Sequence, residues 1–174
     1  MSLLKAIGTV GFYTAISRVT GFIRDILTAQ LLGAGMVADA FFVAFKFPNL
    51  FRRLFGEGAF NAAFVPMFSK EMEGEGGRAR ALLFARQAFA GLALVLALFV
   101  GLFELLMPLL MYAFAPGFAE NPEKFALAVL LTRLTFPYLL LISLVSLLSG
   151  ILNALHKFAV AAATPILLNL SLIA

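Results

Sequence analysis

Five cations lie inside stretches otherwise apolar enough for a lipid bilayer: Arg18, Arg24, Lys46, Arg52 and Arg53. A charge at the centre of a membrane helix costs about 2.5–3.5 kcal/mol even on the lenient insertion scale. A chain that places them between Thr14 and Asn61 must turn them away from lipid, and their spacing does so. On a helix advancing about 100° per residue, Thr14, Ser17, Arg18, Gly21, Arg24, Asp25 and Thr28 fall within an arc of roughly 120°. Phe12, Ile16, Val19, Phe22, Ile23, Ile26 and Leu27 occupy the other side. In the next segment Asp39, Lys46, Arg53 and Glu57 project in nearly one direction, because heptad and i,i+4 steps return to the same helix face. Asn49 and Asn61 flank that face, and Arg52 stands about 100° to one side. Two polar faces on consecutive helices, joined by the short turn Gly33–Ala38, are expected to meet and to line a wet interior.

Composition agrees with a bilayer environment. Hydrophobic residues make up 63% of the chain and charged residues 13%, against about 45–50% and about 25% in soluble domains. An all-α integral membrane protein with long, kinked transmembrane helices follows. The absence of cysteine excludes disulfides, thiolate metal sites and a cysteine nucleophile. The net charge of +4 suits anionic lipid head groups at the cytoplasmic edge and makes a poor case for nucleic acid, since the basic residues sit within spans or edge short loops. The start, M-S-L-L-K-A-I-G, reads as a retained helix rather than a cleaved signal.

The apolar runs predict spans over 3–32, 37–68, 81–113, 126–154 and 159–174, each tested against the roughly 20 residues a bilayer needs. Pro48 and Gly56–Gly58 are the expected kink points of the second span, where neighbours or water can satisfy freed backbone groups. The run Ser69–Arg80 is expected to be a solvated loop. Ser143, Ser146 and Ser149 with Gly150 would allow close packing of the fourth span. The fifth run ends I-L-L-N-L-S-L-I-A without a helix-ending signal, so the chain reads as truncated inside that span. Lys5, Lys70, Arg78, Arg80, Arg86 and Lys157 fall on one side if the spans alternate, against Lys124 with Arg133 nearby on the other. That asymmetry makes the first side, and the N-terminus, cytoplasmic.

The buried charges admit two readings. Arg53 and Glu57 can pair on one helix, and Asp25 lies beside Arg24. Yet Arg18, Arg24, Lys46, Arg52 and Arg53 outnumber Asp25, Asp39 and Glu57. Chain beyond these spans, or an anionic ligand, must supply the balance, and arginine's planar fork suits phosphate oxygens bidentately. Lys46 reads equally as a packing or ion-pair residue and as a cargo contact. His156 reads as an interfacial boundary residue, and Glu104 with Arg133 as an interhelical pair or as snorkelling side chains. The many phenylalanines read as lipid-facing and core filler. No metal-ligand cluster, Ser-His-Asp set or phosphate-cradling loop is present, so the sequence points to no enzyme and no cofactor.

The runs S-R-V-T-G-F-I-R-D at Ser17–Asp25 and A-D-A-F-F-V-A-F-K-F-P-N-L-F-R-R-L-F-G-E-G-A-F-N-A-A-F-V-P at Ala38–Pro66 closely resemble the MurJ/MviN family. These are lipid II flippases of the multidrug/oligosaccharidyl-lipid/polysaccharide exporter superfamily, and the resemblance runs through essentially the whole chain. It implies a two-lobe exporter fold with the lobes facing across a central cavity, of which this chain would be most of the N-terminal lobe. It implies transport of lipid II, the undecaprenyl-diphosphate-linked peptidoglycan precursor, to the outer leaflet of the bacterial inner membrane. By the same resemblance Arg18, Arg24 and Arg52, with Arg53 beside them, are cationic cavity residues that bind the substrate. Asp25, Asp39 and Glu57 then fall at family positions for gating or the charge network, and Ser17 and Lys46 belong with them. Membrane lipids and cell-wall synthesis proteins are the other expected partners. A drug or cation exporter of the same superfamily would favour acids and aromatics over excess arginine. A non-transporting scaffold binding anionic lipid through basic pockets is the other alternative.

Overall fold

The computed structural model describes residues 3–53 and 59–174, with side-chain surroundings from residue 7 to 53 and from 62 onward. Among the described residues the chain is all-helical. Its elements are α1 (Leu3–Leu32), α2 (Met36–Arg52), α3 (Ala59–Glu73), α4 (Gly77–Phe114), a short 3₁₀ turn (Pro116–Phe118), α5 (Pro122–Thr135), α6 (Tyr138–Ala154) and α7 (Phe158–Ile173). Two helical stretches are long and apolar enough to cross a membrane, Gly77–Phe114 and Pro122–Ala154, and Phe158–Ile173 is a shorter apolar helix.

The run Ser69–Arg80, expected as a loop, is helical except at its centre. Lys70, Glu71 and Glu73 are good helix formers, so α3 continues to Glu73 past the point where the sequence stops being apolar. The reversal is confined to Gly74–Gly76, where Gly76 takes φ 91° and caps the start of α4. Polarity marks where a membrane would end rather than where the helix ends. The fourth predicted span begins four residues early, at Pro122. Asn121 caps it with its side-chain oxygen, which accepts from the N–H groups of Glu123 and Lys124 at 3.1 Å each. Within the same rod the chain turns at Phe136–Pro137, because Pro137 has no N–H to give the preceding turn. The expected kink glycines Gly56 and Gly58, and Glu57 between them, lie outside the described residues.

The helices form two compact units: α1 with the end of α6 and α7, and α2 to α5 with most of α6. In the second, α2 offers Ala38, Ala40 and Ala44 as buried small residues, which lets α5 approach until Thr135 Oγ1 donates to the Ala44 carbonyl at 3.0 Å. An aromatic cluster joins α2, α4 and the Phe136 turn. Phe136 is fully buried and lies near-parallel to Phe103 at 5.4 Å, with Phe47, Phe51 and Phe99 around it. Farther along α4, Phe84 stacks on Phe64 of α3 at 5.4 Å and 8°. The opposite side of α4 shows Leu94, Leu98, Leu105 and Leu109 exposed, as a lipid-facing row requires.

In the first unit Phe12, Val19 and Phe22 of α1 are exposed, while the Ser17–Thr20–Gly21–Arg24 side faces α7. The chain passes from α6 to α7 through a tight C-terminal motif. Lys157 N–H bonds the Leu152 carbonyl at 2.8 Å, and His156 N–H the Asn153 carbonyl at 3.0 Å. With this pair of hydrogen bonds His156 sits at φ 59°, a left-handed backbone usually given to glycine.

Candidate functional site

In the first unit the polar arc of α1 divides into two parts. Arg24 is held on both sides. Its Nε and Nη2 donate to Asp25 Oδ1 at 3.0 and 2.6 Å, and its Nη1 donates to Asn169 Oδ1 on α7 at 2.8 Å. Asn169 is 6% exposed, and its Nδ2 donates to the Ser17 carbonyl at 2.9 Å and to Thr20 Oγ1 at 3.2 Å. Gly21 makes this approach possible: a Cβ there would stand 3.3 Å from Asn169 Nδ2.

Six residues before Arg24, Arg18 is exposed and makes no hydrogen bond or ion pair among the described residues. It lines a partly open cleft of about 450 Å³ between α1, the end of α6 and α7. Thr14, Ser17 and Asn153 supply the cleft's other polar groups; Val10, Phe158 and Pro165 are among its apolar lining. A guanidinium with free donors, beside hydroxyls and an amide and against an apolar wall, suits an amphiphile with an anionic head.

The second unit carries the other predicted residues. Arg52 Nε donates to Asn49 Oδ1 at 3.1 Å, and Asn49 Nδ2 donates back to the Phe45 carbonyl at 2.8 Å, a chain of bonds within α2. Arg53 is exposed and makes no hydrogen bond or ion pair among the described residues. Among the described residues Asp39 has no arginine partner. It pairs with Lys124 at the start of α5 at 2.5 Å, and Lys124 also sits 4.4 Å from the centre of the Phe118 ring. Asp39, Lys46, Phe42, Val43 and Phe118 line an open hollow of about 380 Å³, in which Lys46 has no ion-pair partner among the described residues. Glu57 lies outside the described residues.

Two of the three acids thus have described partners, and only Arg24 of the five cations is paired with either. Asp39 is taken by Lys124, which strengthens the positive excess on Arg18, Lys46 and Arg53. Arg133 and Glu104 do meet, but Arg133 Nε reaches the Glu104 backbone carbonyl at 3.2 Å instead of the carboxylate. Sequence reasoning missed Asn169 and Lys124 as partners. The available signal for Asn169 was a lone amide in an apolar helix, which must find a partner wherever water is excluded.

The class comes first from the fold: among the described residues an all-helical chain with two helical stretches of membrane-crossing length, in which Arg24 and Arg52 meet polar partners and Arg18 and Lys46 line clefts. A sequence model described as "Lipid II flippase MurJ" matches residues 28–174. The chain is 53% identical over 176 residues to a probable lipid II flippase MurJ of Rhizobium tropici, covering 99% of this chain and 32% of that protein. It is 49% identical to the probable lipid II flippase MurJ of Rhizobium meliloti, covering 100% and 32%. To the lipid II flippase MurJ of Burkholderia cenocepacia it is 42% identical, covering 100% and 34%. The chain belongs to the MurJ lipid II flippase family, and spans about a third of the length of these relatives.

Proposed function

We propose that this chain is the N-terminal part of a lipid II flippase in the bacterial inner membrane, a transporter rather than an enzyme, serving peptidoglycan synthesis and so cell shape. It crosses the membrane several times with its N-terminus in the cytoplasm, as the lysine and arginine asymmetry of its short loops indicates. It belongs to a two-lobe exporter fold whose kinked helices alternate access to the two leaflets. Arg18, Arg24, Arg52 and Arg53 hold the diphosphate of the lipid-linked precursor, while Ser17, Asp25, Asp39, Lys46 and Glu57 form the gating and charge network.

The observation that carries this reading is Arg18. It lines an open cleft with hydroxyl neighbours and has no hydrogen bond or ion pair among the described residues. In a chain built for lipid, an unmatched guanidinium is costly unless an anion or water completes it, so intramembrane cations mark function. A lipid diphosphate offers oxygens for the fork and a tail for the surrounding apolar phase.

The test places the chain in lipid nanodiscs and measures binding of undecaprenyl diphosphate, undecaprenol and phosphatidylglycerol. The diphosphate is expected to bind best, and Arg18→Ala to weaken it about tenfold, equivalent to one hydrogen bond to a charged group. Arg18→Lys should recover part of that loss, since charge returns without the fork. Equal binding of undecaprenol, or an unchanged affinity in Arg18→Ala, overturns the proposal.

A further inference from the structure

Asn169 is the buried residue of α7, a helix otherwise almost wholly apolar. Its surroundings fix which way its amide points. The Ser17 carbonyl can only accept, so Nδ2 must face it; the Arg24 guanidinium can only donate, so Oδ1 must face that. Thr20 agrees with this polarity, because its hydroxyl donates to the Ile16 and Ser17 carbonyls at 3.0 and 3.1 Å and is left to accept from Nδ2. The amide therefore has one orientation, tied to the backbone of α1 at one end and to Arg24 at the other.

The effect falls on Arg24. A guanidinium has five N–H donors, one on Nε and two on each terminal nitrogen. Asp25 takes Nε and one from Nη2, and Asn169 takes one from Nη1. One donor then remains on each terminal nitrogen, and each can go to an oxygen of an anion. Asp25 alone would hold the guanidinium through one oxygen of an exposed carboxylate on the same helix; Asn169 adds a buried second fixed point from α7.

We infer that Asn169 is the positioning residue of Arg24, holding its guanidinium so that one donor on each terminal nitrogen stays available to an anion. That the anion is a lipid diphosphate rests on the function proposed above. Asn169 itself touches no substrate; it acts through Arg24.

The test has two arms, both on the whole chain in nanodiscs. In the first, undecaprenyl diphosphate affinity is measured for the wild type, Asn169→Leu, Arg24→Ala and the double variant. Asn169→Leu should weaken binding about tenfold, and the double variant should bind no more weakly than Arg24→Ala alone. Multiplying losses, or an unchanged affinity in Asn169→Leu, overturn the inference. In the second, nitrogen-15 signals of the Arg24 side chain are recorded without ligand. The wild type should give separate Nη1 and Nη2 signals, broadened or merged in Asn169→Leu as loss of the Nη1 partner speeds their exchange, and signals unchanged by the substitution overturn the inference. Asn169→Ser, too short to reach Arg24 but still polar, replaces the leucine variant if that one loses helicity. If the wild type binds no diphosphate, the functional proposal fails, and the positioning of Arg24 stands or falls on the Nη signals.

Discussion

Adding one methyl group at Gly21 and one at Gly11 should change stability in opposite directions. Both glycines lie in the interior of α1, so alanine at either gains about 0.8–1.0 kcal/mol of helix propensity. At Gly11 nothing stands within 4 Å of the new Cβ, and that gain is realised in full. At Gly21 the Cβ would meet Asn169 Nδ2 at 3.3 Å, tight enough that the amide must shift by a few tenths of an ångström. The amide cannot shift freely, because it is bonded to Ser17, Thr20 and Arg24. Interhelical hydrogen bonds in membranes average about 0.6 kcal/mol, so disturbing three costs about 2 kcal/mol. Gly21→Ala should therefore lose about 1 kcal/mol net, and Gly11→Ala gain slightly less than that. Titration of the chain from mild detergent into sodium dodecyl sulfate, followed by far-ultraviolet circular dichroism, measures both midpoints. If the two variants shift the midpoint equally upward, α7 does not press on Gly21 and the α1–α7 contact described above is wrong.

Three further outcomes can be checked by the same titration. Phe136→Ala should cost about 3 kcal/mol, the lower end of the range for buried aromatics, because lipid solvates an exposed ring about as well as the core does. His156→Gly should stabilise by about 1 kcal/mol, since the left-handed backbone at φ 59° penalises a residue with a Cβ; a loss would mean the imidazole makes a contact worth more than the strain. Asn121→Ala should cost about 1 kcal/mol by removing the cap from α5, and Asn121→Asp should restore most of it.

Helix α1 was legible almost to the residue, because its glycine turn and its apolar length agree. The direction of its faces was legible in part: Phe12, Val19 and Phe22 are exposed and Ser17, Gly21 and Arg24 face α7, but Thr14, Arg18 and Asp25 of the same polar arc are exposed as well. The pairing of Arg24 with Asp25 could be read from adjacency. Its second partner could not, since Asn169 lies 145 residues away and only the fold brings α7 against α1. Lys124 escaped for the same reason: counted as a loop charge, it begins α5 and reaches back to Asp39. Helices α3 and α4 extend beyond the apolar runs that predict spans over 37–68 and 81–113, because lysine, arginine and glutamate carry a helix well past the edge of an apolar run. The start of α5 carried its own signal in Asn121-Pro122, a cap followed by a first-turn proline.

Helix α4 has a geometric consequence of its own. Its 38 residues, at 1.5 Å each, make a rod of about 57 Å, whereas a bilayer with its head groups is about 40–45 Å thick. Set upright, such a rod must stand proud of one surface, and its only arginines, Arg78, Arg80 and Arg86, cluster at the Gly77 end. From Arg86 to Phe114 the remaining length is about 42 Å, enough to fill the membrane by itself. The first two to three turns would then rise clear of the phosphates like a post, with Arg86 as the collar that sets its depth.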